Sequence, residues 1–397
     1  MKVLTMILAG GKGERLYPLT RDRAKPAVPF GGIYRIIDFT LSNCVNSYMK
    51  RILILTQYRS FSLEKHIQLG WNILCNKLGE FIHIVSAQQR IDEIWYQGTA
   101  DAIYQNLYIL QQERPDLVLI LSGDHLYKMD YRNLIFLHQE KGADLTMATL
   151  EQPKAMSRHF GVIEVDQQQR VVRFQEKPRQ PRTIPGNPHA ILASMGIYVF
   201  NTEVLVRRLI EDAKQETTHD FGRDIIPSMV PRDKVFAYIF QDQKLNRAGY
   251  WRDIGTIESY WEANMDLLGA SPTFDLYDPD WPIFTYDPPA PPARIISINT
   301  PPVNSIISDG CIIEADKIEH SILSPNVRVF SKAEVKDSII MEDVTIERGA
   351  KIRKAIIDKG TVIPQDLEIG YNVRKDRKHF TVTESGIVVV TRDTRLE

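Results

Sequence analysis

The chain has 397 residues, beyond the usual single-domain range, so two domains are the default expectation. Its 49 basic and 50 acidic residues leave a formal net charge of −1, which argues against a nucleic-acid or anionic-membrane partner held by bulk electrostatics, so local cation clusters must grip any anion. Cys44, Cys75 and Cys311 are odd in number and lack metal-ligand spacing; with no signal-like N-terminal segment and no apolar run of about 18 residues, free thiols in a cytoplasmic protein are expected.

From residue 1 to about 265 short aliphatic runs alternate with longer amphipathic ones, an α/β pattern. The patterning predicts strands over 3–8, 51–56, 118–122, 145–149 and 194–200, and helices over 36–48, 100–114, 132–141, 202–211 and 257–268. A mainly parallel sheet flanked by helices follows, and ligands of such sheets sit beyond the carboxyl ends of the strands. There the first strand runs into LAGGKGERLYPLTRDRAKPAVPFGG (8–32). Gly10, Gly11 and Gly13 let backbone N–H groups approach a phosphate closely, while Arg15 and Lys25 supply cations for charge on phosphoryl oxygens. Glu14 after Gly13 leaves a Walker-type P-loop unsupported, and Leu16 stands where a dinucleotide fingerprint needs its third glycine. A plain glycine-rich turn would need no ligand at all.

Further polar groups follow strands or precede helices. Gln88 and Gln89 offer amides suited to a base edge, and WYQGTADA (95–102) sets Tyr96, Gly98 and Thr99 before a helix that Thr99 would cap. Asp124, in LSGDHL after an apolar strand, is placed to hold a divalent cation against substrate phosphates, or else to cap a turn. His125 beside it reads as supporting, because Mg2+ prefers oxygen ligands. Lys177 in FQEKP is expected to be extended by the following Pro178 and to present its ammonium to a phosphate monoester. Asp253 in WRDIGT offers a second oxygen ligand, or a helix cap before Ile257.

Residues 271–302 form a proline-rich linker whose Trp281, Phe284 and Tyr286 predict packing on a domain surface. From 303 to 397 aliphatic residues recur every five or six positions, and every third member (Ile307, Leu323, Ile340, Ile357) gives a repeat of about 17 residues. A three-sided parallel β-helix of about four turns fits that period, left-handed as hexapeptide repeats are, with a closing strand in TVTESGIVVVTRDTRLE.

In order along the chain, LAGGKGERL, RAKPAVPFGG, RIIDF with LSNCVNS, WYQGTADA, SGDHLYKMDY, FQEKP, ASMGIYVF, HDFGRDIIP and YWRDIGT precede the hexapeptide repeats. Over nearly its whole length the chain closely resembles the glucose-1-phosphate adenylyltransferase family of bacterial glycogen and plant starch synthesis. The resemblance implies a Rossmann-like nucleotidyltransferase domain over 1–270, a linker, and a left-handed β-helix domain over 303–397. It implies the reaction of ATP with α-D-glucose 1-phosphate to give ADP-glucose and pyrophosphate, with Mg2+. Candidate nucleotide contacts are then Leu8, Ala9, Gly10, Gly11, Gly13, Gln88, Gly98 and Thr99. Tyr96, Gly161, Glu176, Lys177 and Ser194 match positions that hold glucose 1-phosphate, Asp124 and Asp253 match metal ligands, and Arg15, Lys25 and Asp124 carry the catalysis. A homotetramer, or an assembly with a related second subunit, is also implied. Alternatives are another nucleotide or sugar phosphate, or a non-catalytic regulatory subunit; such subunits lose Arg or Asp from these loops, whereas Arg15, Lys25, Asp124 and Asp253 are present.

Family members respond to anionic metabolites bound between the catalytic domain and the β-helix, which makes Arg35, Arg392 and Arg395 the expected effector contacts. Asp22 stands where fructose-bisphosphate-activated members carry a lysine, and Pro29 where they carry a histidine. A carboxylate repels a bisphosphate, so a different or weaker activator response is expected.

Overall fold

The computed structural model describes residues 1–88, 95–242, 247–296 and 300–394; Gln89 and Arg395 lie outside them. Strand β1 (Val3–Leu8) lies between β2 (Arg51–Thr56) and β4 (Leu117–Ser122), with β3 (Phe81–Ser86) beyond β2, all four parallel in a nine-stranded sheet. Consecutive β1 residues feed opposite apolar layers, Leu4 and Met6 on one face and Ile7 on the other, which is why the strand reads as a continuous apolar run. Beyond β4 runs β8 (Ala190–Asn201), antiparallel to β4, to β5 (Leu145–Pro153) and to β6 (Gly161–Val165). β7 (Val171–Glu176) pairs antiparallel with β6, and β9 (Val235–Ile239) parallel with β5. The parallel half is the one that carries the glycine loop.

The helices are α1 (Ile36–Asn46), α2 (Phe61–Gly70), α3 (Thr99–Tyr104), α4 (Leu107–Glu113), α5 (Tyr131–Glu140), α6 (Thr202–Asp212) and α7 (Ile257–Met265), besides shorter turns. The single helix expected over 100–114 is therefore two. Asn106 sits at the break, its Nδ2 donating to the Ala102 carbonyl and to the Tyr96 hydroxyl, so its side chain competes with the helical backbone. Among the described residues no helix is long and apolar enough to cross a membrane.

The C-terminal strands stack in three parallel sheets at about 17 residues per turn, consistent with a left-handed hexapeptide β-helix. Ile313, Ile318, Leu323, Val329, Val335, Ile340, Ile346, Ile352, Ile357, Ile363 and Ile369 fill its interior, while Ile307 is partly buried at one end. On one sheet the residue before the inward one is also apolar: Ile322, Ile339 and Ile356 point outward into a core shared with Leu16, Leu19, Val28, Phe30 and Tyr260 of the first domain. The coil's first paired strand is Arg294–Ile295, inside the stretch expected as linker. Earlier in that stretch, residues 281–285 strap onto the first domain, as the aromatics Trp281 and Phe284 predicted. Trp281 Nε1 donates to Asn43 Oδ1 (2.8 Å), the Phe284 N–H to Ser42 Oγ (2.9 Å) and Thr285 Oγ1 to buried Asp38 (2.7 Å).

Candidate active site

Beyond the carboxyl end of β1 lies a cleft of about 780 Å³, lined by Leu8 to Arg15, Lys25, Tyr96 to Thr99, Ser122, Asp124, Asp220 and Gly255 among others. The Ala9 N–H donates to the Leu55 carbonyl (2.9 Å), fixing where β1 releases the loop. Gly13 has φ +65°, and a Cβ there would stand 3.0 Å from Thr20 Cγ2 and 3.3 Å from Lys25 Cβ, so the turn needs glycine twice over. A single 3₁₀ turn, Glu14–Leu16, then buries Leu16 in the interdomain core. Arg15 is left exposed, with its guanidinium 3.3 Å from where a Cβ of Gly255 would be.

The two candidate metal ligands arrive on separate segments. Asp124 stands two residues past the end of β4, and Asp253 pairs opposite His125 in the antiparallel ribbon of Trp251–Asp253 with His125–Tyr127. Buried Lys25 reaches between them, its Nζ 2.5 Å from Asp124 Oδ2 and 3.0 Å from Asp253 Oδ1. Burial works against charge on Lys25, but the two carboxylates outweigh it and raise the ammonium's pKa above its ordinary value. Burial likewise opposes ionisation of Asp124, but Lys25 and His125 overcome it and hold this carboxyl far below the usual range, aided by a hydrogen bond from Ser122 Oγ. His125 Nε2 lies 3.6 Å from Asp124 Oδ1 and 3.9 Å from Asp253 Oδ1. One ligand atom from each of these three residues falls within a 4.8 Å span, compact enough for one metal ion, and the two carboxylates suit a hard cation.

Asp124 thus spends its carboxylate on side chains, and α7 is capped by Thr256 through Ser259 rather than by Asp253. Thr99 does not cap α3 either: Gly98 is the N-cap, and Thr99 Oγ1 donates to Asp220 Oδ2 (2.9 Å) and accepts from the Phe221 N–H (3.0 Å). The Ala100 N–H is satisfied by the His219 carbonyl at 2.8 Å. Lys177 is not extended; its φ is +47°, its N–H donates to the Phe160 carbonyl (3.1 Å), and its Nζ pairs with Glu176 (3.1 Å), so a tight turn after β7 overrides the pull of Pro178. Gln88 is exposed and does not line the cleft.

Of the residues expected to hold the sugar phosphate, Gly161, Glu176 and Lys177 lie together. Glu176 Oε2 would lie 2.9 Å from a Cβ on Gly222, so that glycine makes room for the carboxylate; a Cβ on Gly161 would meet the Phe174 ring at 2.4 Å and Glu176 Oε2 at 3.1 Å. Tyr96 accepts from Asn106 Nδ2 (2.8 Å), and burial pushes its phenol pKa up. Ser194 is buried beside Tyr198 (3.4 Å between oxygens), where β8 shifts register against β5. Asp220 joins the two groups: it lines the cleft, accepts from Thr99, and its Oδ1 takes the N–H groups of Gly222 (2.9 Å) and Arg223 (3.1 Å). Its segment, HDFGRDIIP, stood out in the sequence, but nothing local singled out this aspartate.

At the domain junction, Arg35 donates to the Ala27 carbonyl (2.7 Å) and to Glu342 (3.4 Å). Arg392 is exposed, its Nε 3.8 Å from where a Cβ of Gly360 would stand. Sequence reasoning missed Arg23, which is buried and bonded to both carboxylate oxygens of Asp358 at 2.8 and 2.9 Å.

Residues 4–269 match the nucleotidyl transferase family, and 291–390 match the GlmU-like C-terminal hexapeptide family. Glucose-1-phosphate adenylyltransferase of Rhodopirellula baltica is 51% identical, the match covering 98% of this chain and 90% of that protein. The enzymes of the same name from Methylococcus capsulatus and Shewanella sp. are each 50% identical, covering 99% and 98% of this chain and 94% of each relative. The chain belongs to the glucose-1-phosphate adenylyltransferase family. Membership agrees with the parallel sheet, the glycine loop and the hexapeptide coil.

Proposed function

We propose that the protein transfers the adenylyl group of ATP to α-D-glucose 1-phosphate, giving ADP-glucose and pyrophosphate, for glucan synthesis in the cytoplasm. The observation that carries this reading is the meeting of Arg15, Lys25, Asp124 and Asp253 at the mouth of a glycine loop beyond a parallel strand. A phosphate oxygen of glucose 1-phosphate attacks the α-phosphorus in line; the new O–P bond forms as the α–β anhydride breaks, and pyrophosphate leaves with the electron pair. No side chain need remove a proton, because a phosphate monoester near neutral pH is already an oxyanion. Asp124 and Asp253 would hold Mg2+, which supplies Lewis-acid charge neutralisation. Arg15, exposed at the cleft, neutralises charge on the departing pyrophosphate, and Lys25 does the same at the α-phosphoryl group. Glu176 accepts sugar hydroxyls, and Lys177 pairs with the sugar's phosphate. Anionic effectors would act at the junction near Arg35 and Arg392, in a homotetramer or an assembly with a related second subunit.

The test is pyrophosphate release from ATP and glucose 1-phosphate by the purified chain. Asp124→Asn should lower turnover by about 10²-fold or more, the scale of losing one electrostatic stabiliser. Unchanged turnover in that variant would overturn the metal-site assignment.

A further inference from the structure

Lys25 stands between the two carboxylates that the metal requires. Its Nζ is bonded to Asp124 Oδ2 and Asp253 Oδ1, and Asp253 Oδ1 also faces His125 Nε2 at 3.9 Å. An ammonium and a divalent ion cannot both sit against that oxygen at bonding distance without strong repulsion. The stem of Lys25 passes Gly13, and the residue lines the same cleft as Gly10 and Gly11. Its four-carbon side chain can therefore swing Nζ from the carboxylates toward the glycine loop by side-chain rotation alone.

Charge decides which position is taken. Two carboxylates and one ammonium leave a single negative charge. Adding a divalent cation alone would leave a net positive charge and deprive Lys25 of its partners in a buried site. Nucleotide phosphates give the displaced ammonium a new anionic partner.

We propose that Lys25 holds the metal's place between Asp124 and Asp253 until nucleotide arrives, so that metal and nucleotide load as a coupled pair and Lys25 moves from carboxylate to phosphate as they do. This rests on the nucleotidyl-transfer reading of the site. Lys25 is then a gate against metal bound without nucleotide, as well as a phosphate contact.

Mn2+ titrations followed by electron paramagnetic resonance test it on the full chain, with and without a non-hydrolysable ATP analogue. Removing the ammonium with Lys25→Met should tighten Mn2+ binding in the absence of analogue by about tenfold or more and shrink the further tightening the analogue causes. Lys25→Arg, which keeps a cation there, should bind Mn2+ alone as weakly as wild type. Because Lys25→Met takes the ammonium from two partly buried carboxylates, Lys25→Gln serves as a second variant whose amide can still donate to them. Thermal melting should show both neutral variants gaining more stability from Mn2+ than wild type does. Neutral variants that bind Mn2+ alone no more tightly than wild type would overturn the proposal. The wild-type assay for ADP-glucose separates the two readings: synthesis without the Mn2+ effect sinks only the gate, and the Mn2+ effect without synthesis sinks only the reaction.

Discussion

Gly98 has an extended backbone (φ −154°), so conformation does not demand glycine there; space does. A Cβ would stand 2.2 Å from the His219 carbonyl oxygen and 2.4 Å from that of Thr218. The His219 carbonyl also accepts from the Ala100 N–H, so this contact seats α3 and sets the cleft wall carrying Tyr96 and Thr99. Gly98→Ala should push that wall from the 218–222 segment and lower kcat/KM for ATP by about 10²-fold, the cost of an ångström-scale misplacement at a site. Steady-state kinetics beside a thermal melt check it; a variant with wild-type kinetics would show that the close approach has no bearing on the site. Arg15, Lys25 and Asp124 were legible in the sequence because their chemistry suits phosphate and their positions follow predicted strands. The partners of Thr99 were not, since Asp220 and Phe221 come from a segment more than a hundred residues away and leave no local signal. Lys177 misled for a related reason: the expectation rested on Pro178 alone, whereas its N–H is held by Phe160 from the adjoining segment.

Among the elements, the β-helix was the most legible, because each inward residue is fixed by a period that no helix shares. Its junction face was written in the sequence too, as apolar doublets at Ile322-Leu323, Ile339-Ile340 and Ile356-Ile357, whose first members leave the coil and enter the shared core. Taking only the inward member of each doublet, Leu323, Ile340 and Ile357, concealed it. By contrast α2, β3, β6 and β9 lay outside the predicted set; β3, with His83 exposed and most of its neighbours half-buried, lacks the clean apolar run of β1. The closing strand Val388–Val390 pairs parallel with Ala355–Ile357, and Ile387 and Val389 belong to the junction core. Ending the chain after Phe380 should therefore uncover a strand edge together with Ile356 and turn the protein into aggregates. Ending it after Asp393, beyond that strand, should leave it monodisperse. Sedimentation velocity distinguishes these outcomes, and a monodisperse chain ending at Phe380 with an unchanged melting temperature would refute the role assigned to the tail.

In the whole molecule, the first domain and the coil meet through one apolar core and through ion pairs that already engage three of the junction's arginines. Arg23 is bonded to Asp358, Arg35 to Glu342, and Arg21 to both Asp22 and Asp393. Burial lowers the pKa of the Lys359 ammonium, and the charges of Arg23 and Arg35 push it down against the opposing pull of Glu342 and Asp358. Pro29 is buried and spends its carbonyl on the Tyr260 hydroxyl (2.6 Å), offering no donor to a phosphate. A bisphosphate entering here would have to break pairs that are already made and approach the exposed carboxylate of Asp22. Activation by fructose 1,6-bisphosphate should accordingly stay below about twofold, short of the roughly fivefold at which site-to-site coupling is usually recognised. Neutralising the competing carboxylates is the converse experiment. Glu342→Gln combined with Asp22→Asn and Asp393→Asn removes the carboxylates paired with Arg35 and Arg21 and should raise the response above wild type in initial-rate assays at saturating substrate. A large, saturable activation of the unaltered enzyme would mean that these ion pairs open readily and that Asp22 and Pro29 do not keep a bisphosphate out of the junction.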